Sequence, residues 1–180
     1  MNEVLHCLLT RRSVKKYLSQ PVEEEKLEAV LEVGTYAACG MGRQAGKIVV
    51  LQNPDDIAQL EKMNATILGN PDAHPFYGAP VVCVVFADTN VNTWVEDGSL
   101  VIGNMMAAAH SLGLGSCWIH RARQEFESAE GKALRRSLPP QSLERPISSS
   151  ACNVTVKPLA KSERQAYTKE KTGGHWYEVH

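Results

Sequence analysis

The chain has 180 residues, a length that favours one domain and is enough to bury a substantial core. Hydrophobic residues make up 43% and charged residues 22%, the balance of an ordinary soluble globular protein, and 19 basic against 20 acidic residues leave a net charge of -1, which removes the electrostatic case for nucleic-acid binding. The first ten residues carry Glu3 and no basic region followed by an apolar run, and the longest nearly apolar stretch, Ala79 to Ala87, is far too short to span a membrane, so a cytoplasmic protein is expected.

In chain order, Glu3 to Thr10 reads as a short helix with Val4, Leu5, Leu8 and Leu9 on one face. It runs into the basic segment Arg11-Arg12-Ser13-Val14-Lys15-Lys16-Tyr17. Pro21 is placed to open a second helix, with Glu23, Glu24 and Glu25 in its first turn, reaching about Ala38. Cys39 to Gly46 holds three glycines and reads as a loop, followed by a β-branched strand at Lys47 to Gln52. Pro54 to Asn64 is expected to be helical and Gly69 to Pro80 a surface loop; Pro80 to Ala87 reads as a strand buried on both faces. Asn92 to Leu112 is the longest helical pattern, rich in small residues such as Gly98, Gly103 and Ala107 to Ala109. Small residues admit a second helix closely, so this helix is either a subunit contact or a plain core helix. Ser116 to Ile119 reads as a short strand, Gln124 to Ser137 as an amphipathic helix, and Ile147 to Val156 as a last strand interrupted by serines. The tail from Lys157 to Gly174 is basic and irregular, with a short terminal strand at His175 to Val179. Strands alternating with helices indicate an α+β or mixed α/β fold.

Three segments bear chemistry. Arg11, Arg12, Lys15 and Lys16 around Ser13 form a cation and hydroxyl cluster at a helix end; it is either a phosphate grip or a solvated basic loop. Gly40-Met41-Gly42-Arg43-Gln44-Ala45-Gly46 permits close backbone approach to a flat ligand, yet is neither a P-loop nor a dinucleotide fingerprint. Gly113 to Arg121 brings Trp118, His120 and Arg121 to a strand end, where they line a pocket or a surface. The five cysteines are scattered, with no Cys-x-x-Cys, which argues against a disulfide framework and a structural zinc; Cys83 reads as a buried apolar residue. No Gly-x-Ser-x-Gly elbow or His-Glu-x-x-His helix occurs, and no metal is expected. Acid pairs such as Glu96-Asp97 read as helix-surface charges, and Cys117 has no marked partner base.

Taken in order from about Val4 to Leu134, about three quarters of the chain, these segments resemble the flavin-dependent nitroreductase family. That family opens with a helix and Arg-Arg-Ser-x-Arg/Lys-x-Tyr/Phe, matched here by Arg11 to Tyr17. Ala37 to Gln44 stands where the family has an Ala-rich turn and a loop with Asn/Gly-x-Gln. Phe76 to Val82 resembles the lead into its buried strand, Asp97-Gly98-Ser99 and Asn104 to Ala109 its central helix, and Gly113 to Arg121 the strand beside the flavin ring. Two departures stand out. The loop reads Gln44-Ala45-Gly46 instead of Gln-Pro-Trp or Gln-Ser-Pro, and the chain diverges after about residue 135, where the family's Gly-rich strand is absent.

The resemblance implies a mixed sheet flanked by helices in one domain over 1–180, with a flavin mononucleotide (FMN) site at a homodimer interface. It implies that Arg11, Ser13 and Lys15 grip the FMN phosphate with the Arg12 backbone nearby. Gly42 and Gln44 would lie by the ribityl chain and ring, and Trp118, Ile119, His120 and Arg121 would border the isoalloxazine. Lys169 and Lys171 would add cations from the tail. The implied activity is that of an NAD(P)H oxidoreductase passing electrons in a ping-pong cycle from NADH or NADPH to nitroaromatic, quinone or similar acceptors. No protein side chain is expected to be catalytic, because the flavin carries the chemistry. The alternative is a flavin-binding store or sensor without turnover.

Overall fold

The computed structural model describes residues 1–18, 20–137 and 152–158. Helix α1 covers Glu3–Thr10, capped by the Asn2 side chain, which accepts from the Leu5 N–H at 2.9 Å. Helix α2 spans Glu24–Thr35. It starts later than the proline signal predicts, because Glu23 stays extended and its carbonyl takes the first helical bonds, from the N–H groups of Lys26 and Leu27. A single 3-10 turn, Gly40–Gly42, leads into strand β1, Gly46–Leu51. Helix α3, Pro54–Ile67, begins with Pro54 just inside an Asn53 cap and runs a turn beyond the predicted end. Strand β2 is Val81–Ala87, helix α4 Trp94–Ser111 and strand β3 Leu114–Ile119.

The helix expected over 124–137 is two helices, α5 (Ala122–Glu127) and α6 (Ala129–Ser137). Ser128 turns extended between them; its hydroxyl donates to the Glu125 carbonyl at 2.6 Å and accepts from the Gly131 N–H at 2.9 Å. A hydroxyl that satisfies the end of one helix and the start of the next breaks a continuous amphipathic pattern.

Strand β4, Cys152–Pro158, carries the last expected strand two residues past Val156; residues 147–151 of that expectation and the terminal strand expected at 175–179 lie outside the described residues. Strand β4 is also central: the sheet order is β1-β2-β4-β3, every ladder antiparallel, so β4 fills the gap between β2 and β3. Outside β3 a parallel bridge joins Ser13 to Ser116. The fold is the α+β sandwich of sheet and helices that the sequence implied.

Residues of β2 are buried throughout and alternate between two cores. Val82, Val84 and Phe86 face α3, α5 and α6 through Leu60, Phe126 and Leu134; Val81, Cys83 and Val85 face α2 and α4 through Leu27, Ile102 and Met105. A strand lying between two helical layers needs apolar side chains at every position. No helix of the described residues is long and apolar enough to cross a membrane.

One helix does not join these cores. No residue of α1 is buried, and Val4, Leu5, Leu8 and Leu9 are all at least half exposed. Instead α1 is tethered to α4 by polar contacts: Cys7 Sγ to the Ala107 carbonyl at 3.3 Å, and Thr10 Oγ1 to His110 Nε2 at 2.9 Å.

Candidate functional site

The basic segment after α1 is folded onto the outer edge of β3. The Val14 N–H donates to the Ser116 carbonyl at 3.0 Å, next to the Ser13–Ser116 bridge. Close approach here depends on Gly115, where a Cβ would stand 3.0 Å from Val14. Arg11, Ser13 and Lys15 gather at Cys117: burial pushes that thiol's pKa up, while Lys15, the hydrogen-bonding Ser13 hydroxyl and Arg11 pull it down. The same strip contains two buried polar atoms with no partner among the described residues, Arg11 Nη1 and Ser116 Oγ. Lys15 Nζ lies 5.6 Å from the centre of the Tyr77 ring, a cation–π distance. Arg12 differs: its Nη1 folds back to the Leu9 and Arg11 carbonyls, closing the end of α1.

The glycine loop is held elsewhere. The Gly40 N–H donates to Asp97 Oδ1 at 2.9 Å, and the Thr93 hydroxyl donates to Asp97 Oδ2 at 3.2 Å. Asp97 is 3% exposed, so the reading of this acid as a surface charge is corrected: it anchors the loop to the first turn of α4. Met41, Gly42 and Gln44 all have positive φ, 55°, 67° and 47°. At Gly42 nothing lies within 4 Å of where a Cβ would be, so its backbone is bare on that side.

At the end of β3, Trp118 is half exposed and Ile119 is buried. His120 meets Trp118 edge to face, ring centres 6.5 Å apart. Arg121 turns left-handed, φ 83°, and leads into α5.

The fold thus brings Arg11, Ser13 and Lys15 together with Trp118 to Arg121 along β3, but places Gly42 and Gln44 before β1. The strands these segments adjoin, β1 and β3, are the two outer strands of the sheet, three strand spacings or about 14 Å apart. Lys169 and Lys171 lie outside the described residues. The sequence places Ser116 and Tyr77 only inside longer motifs and Asn64 only at a helix end, and gives none of the three a role at the site. A lone serine in an apolar strand and an asparagine within a helix carry no pattern of their own; only the pairing of segments distant in sequence reveals them.

The nitroreductase family model matches residues 8–136. The chain belongs to the nitroreductase family. A family member from Bacteroides fragilis, a nitroreductase with bound FMN, superposes with a TM-score of 0.77 at 26% identity, covering 100% of each chain. An FMN-dependent nitroreductase of Clostridium difficile gives a TM-score of 0.71 at 26% identity over 91% of each chain. An FMN reductase [NAD(P)H] of Bacillus subtilis is 26% identical over 145 residues, 68% of this chain and 56% of that protein. A Methanothermobacter thermautotrophicus protein, assigned by inference as an NADH dehydrogenase/NAD(P)H nitroreductase, is 33% identical over 125 residues, 64% of this chain and 60% of that protein.

Proposed function

We propose that the chain is a single-domain, cytoplasmic FMN-dependent NAD(P)H oxidoreductase working as a homodimer. The observation that carries the reading is the strip along β3, where Arg11 Nη1 and Ser116 Oγ are buried without partners beside Ser13 and Lys15. Buried donors without acceptors are unfavourable unless a ligand supplies them, and a phosphate offers several oxygens to a guanidinium, an ammonium and hydroxyls at once. The residues present therefore fit an FMN phosphate, and the nitroreductases similar in fold are FMN proteins.

In this reading Arg11, Ser13 and Lys15 bind the phosphate, with the Arg12 backbone adjacent and Ser116 added to the set. Tyr77, whose ring centre is 5.6 Å from Lys15 Nζ, steadies the ammonium by a cation–π contact. Trp118, Ile119, His120 and Arg121 wall the ring, and the exposed Trp118 keeps water from one edge. Lys169 and Lys171 remain the tail's proposed contribution to the phosphate. The chemistry that bound FMN supplies is acceptance of hydride from NADH or NADPH and, once the nicotinamide has left, delivery of the electrons to a nitroaromatic, quinone or similar acceptor.

Gly42 and Gln44 serve the site only from a second copy, since their own chain holds them at the opposite edge of the sheet. The exposed apolar residues of α1, with Val95 and Leu100 on α4, supply a surface of the kind that a symmetric partner covers.

An anaerobic absorbance spectrum of the purified protein tests this, before and after NADH or NADPH and then with a nitroaromatic. A flavin band that bleaches and returns is the expected result and identifies the donor. A band that neither donor bleaches makes the chain a flavin store or sensor, and no band even with added FMN refutes the reading.

A further inference from the structure

Between α3 and the end of β3 lies a polar cluster inside an otherwise apolar core. Asn64 and Glu125 are both 0% exposed. The carboxamide of Asn64 serves three partners: Nδ2 donates to the His120 carbonyl at 3.0 Å and to Glu125 Oε1, and Oδ1 accepts from Arg121 Nε at 3.0 Å. All of these partners lie 56 to 61 residues further along the chain, so the bonds exist only when α3 is packed on α5.

The turn they hold is unusual. Arg121 sits at φ 83°, a region that side chains other than glycine rarely adopt. A residue there persists only where its surroundings over-determine it, and Asn64 grips this one from both sides, by the preceding carbonyl and by the guanidinium. Peptide planarity adds a consequence. With the His120 C=O drawn inward to Asn64, the N–H of the same trans peptide, that of Arg121, points the opposite way, out of the α3 side of the core. Among the described residues no acceptor takes that N–H.

We propose that Asn64 is a positioning residue: through the His120 carbonyl and the Arg121 guanidinium it locks the β3–α5 turn, and so aims the Arg121 N–H outward as a donor to the ring edge of the cofactor. The second half rests on the flavin reading above; the first half does not. Asn64 touches no cofactor and acts through the turn, and the buried Glu125 fixes the orientation of its carboxamide.

The test is Asn64→Leu in the full chain, which keeps the volume and deletes the bonds. Without flavin, hydrogen–deuterium exchange over residues 119–122 should quicken at least tenfold, with the core strand 81–87 still protected. In an Arg121→Gly background the same change should quicken it far less, because glycine takes φ 83° unaided. With FMN titrated in, the dissociation constant should rise about tenfold, and the visible circular dichroism and midpoint potential of the bound flavin should shift. Unchanged exchange in the turn, or additive effects of the two substitutions, overturns the clamp. A loosened turn with FMN affinity, dichroism and potential all at parental values overturns the aiming role and leaves Asn64 merely structural. If the unsubstituted chain takes up no FMN, the flavin reading and the aiming role fall together, and the exchange measurements alone decide the clamp. Should Asn64→Leu fail to fold, Asn64→Ala, smaller and without polar atoms, takes the same three readouts.

Discussion

Asp97, in the first turn of α4, accepts the N–H of Gly40 at 2.9 Å across 57 residues of sequence. Its second oxygen takes the Thr93 hydroxyl, and a Cβ at position 40 would come within 2.2 Å of that hydroxyl's oxygen. The loop bearing Gly42 and Gln44 is therefore set by a buried carboxylate and by the absence of one methyl group. Asp97→Ala leaves two polar groups short of a partner, at about 1–3 kcal/mol each when buried. The expected outcome is a clearly lowered urea midpoint with an unchanged slope, whereas Asp97→Asn, which keeps an acceptor for Gly40, loses less. Equal midpoints for Asp97→Ala and the parent would show that the loop does not depend on this bond.

Gly131 supplies a steric counterpart. A Cβ there would stand 2.0 Å from the Glu125 carbonyl oxygen and 2.8 Å from the Phe126 Cα, and backbone atoms do not move aside cheaply. Gly131→Ala should destabilise the protein by about 1–3 kcal/mol, the usual scale of overpacking, against the gain that alanine gives in an unobstructed helix. Thermal unfolding of this variant decides it; a raised melting temperature would mean that α5 and α6 can re-pack.

How far the sequence reveals the molecule follows from the range of the interactions. The strands β1 and β2 and the long α4 are legible because local composition marks them: seven consecutive apolar residues, Val81 to Ala87, rich in β-branched valine and preceded by Gly78 and Pro80, fit a strand with both faces covered. The basic cluster at Arg11 to Lys15 is legible as a motif. The place of β4 is not, since its central position depends on pairing with β2 and β3 (Val82 with Thr155, Trp118 with Val154), and the run Ser148 to Ser150 upstream of it interrupts the strand pattern. Asp97 and Asn64 are hidden for the same reason. A polar residue in a helix reads as solvated until the element that buries it is known. The break at Ser128 rests on hydroxyl geometry that a helical periodicity does not encode.

Cys83 lies in the middle of β2, fully buried, and burial pushes its thiol up from 9.0 to about 12. The folded state thus holds the proton more tightly than the unfolded chain does. Its contribution to stability is complete below pH 9 and is lost as pH rises from 9.0 towards 12, at a slope approaching about 1.4 kcal/mol per pH unit from this group. Urea unfolding at intervals between pH 8 and 11 should show a decline that is shallower in Cys83→Ala, at the expense of a lower plateau from the lost packing. Parallel curves for the two proteins would assign the decline to other groups. The same burial predicts that Cys83 escapes alkylation at pH 8 while the partly exposed Cys7 and Cys39 are modified.

The separation of Arg11 from Gln44 across the sheet makes a prediction about assembly. Arg11→Ala alone should weaken FMN binding by about 1.5–3 kcal/mol, the worth of a hydrogen bond to a charged group, read by fluorescence titration. A loop variant such as Gly40→Val, forced against Thr93, should impair the site from the other side. If each site takes its phosphate grip from one copy and its loop from the other, mixing the two variants restores sites that neither has alone. Random pairing makes half of the dimers mixed; in each, one site collects both substitutions and the other collects none. About a quarter of all sites then recover parental affinity, as expected for a two-fold symmetric interface with shared sites. A tight-binding phase of that size in the titration of co-expressed variants supports the shared site. No recovery at all, with mixed dimers confirmed by mass spectrometry, means that the loop and the phosphate grip act within one chain.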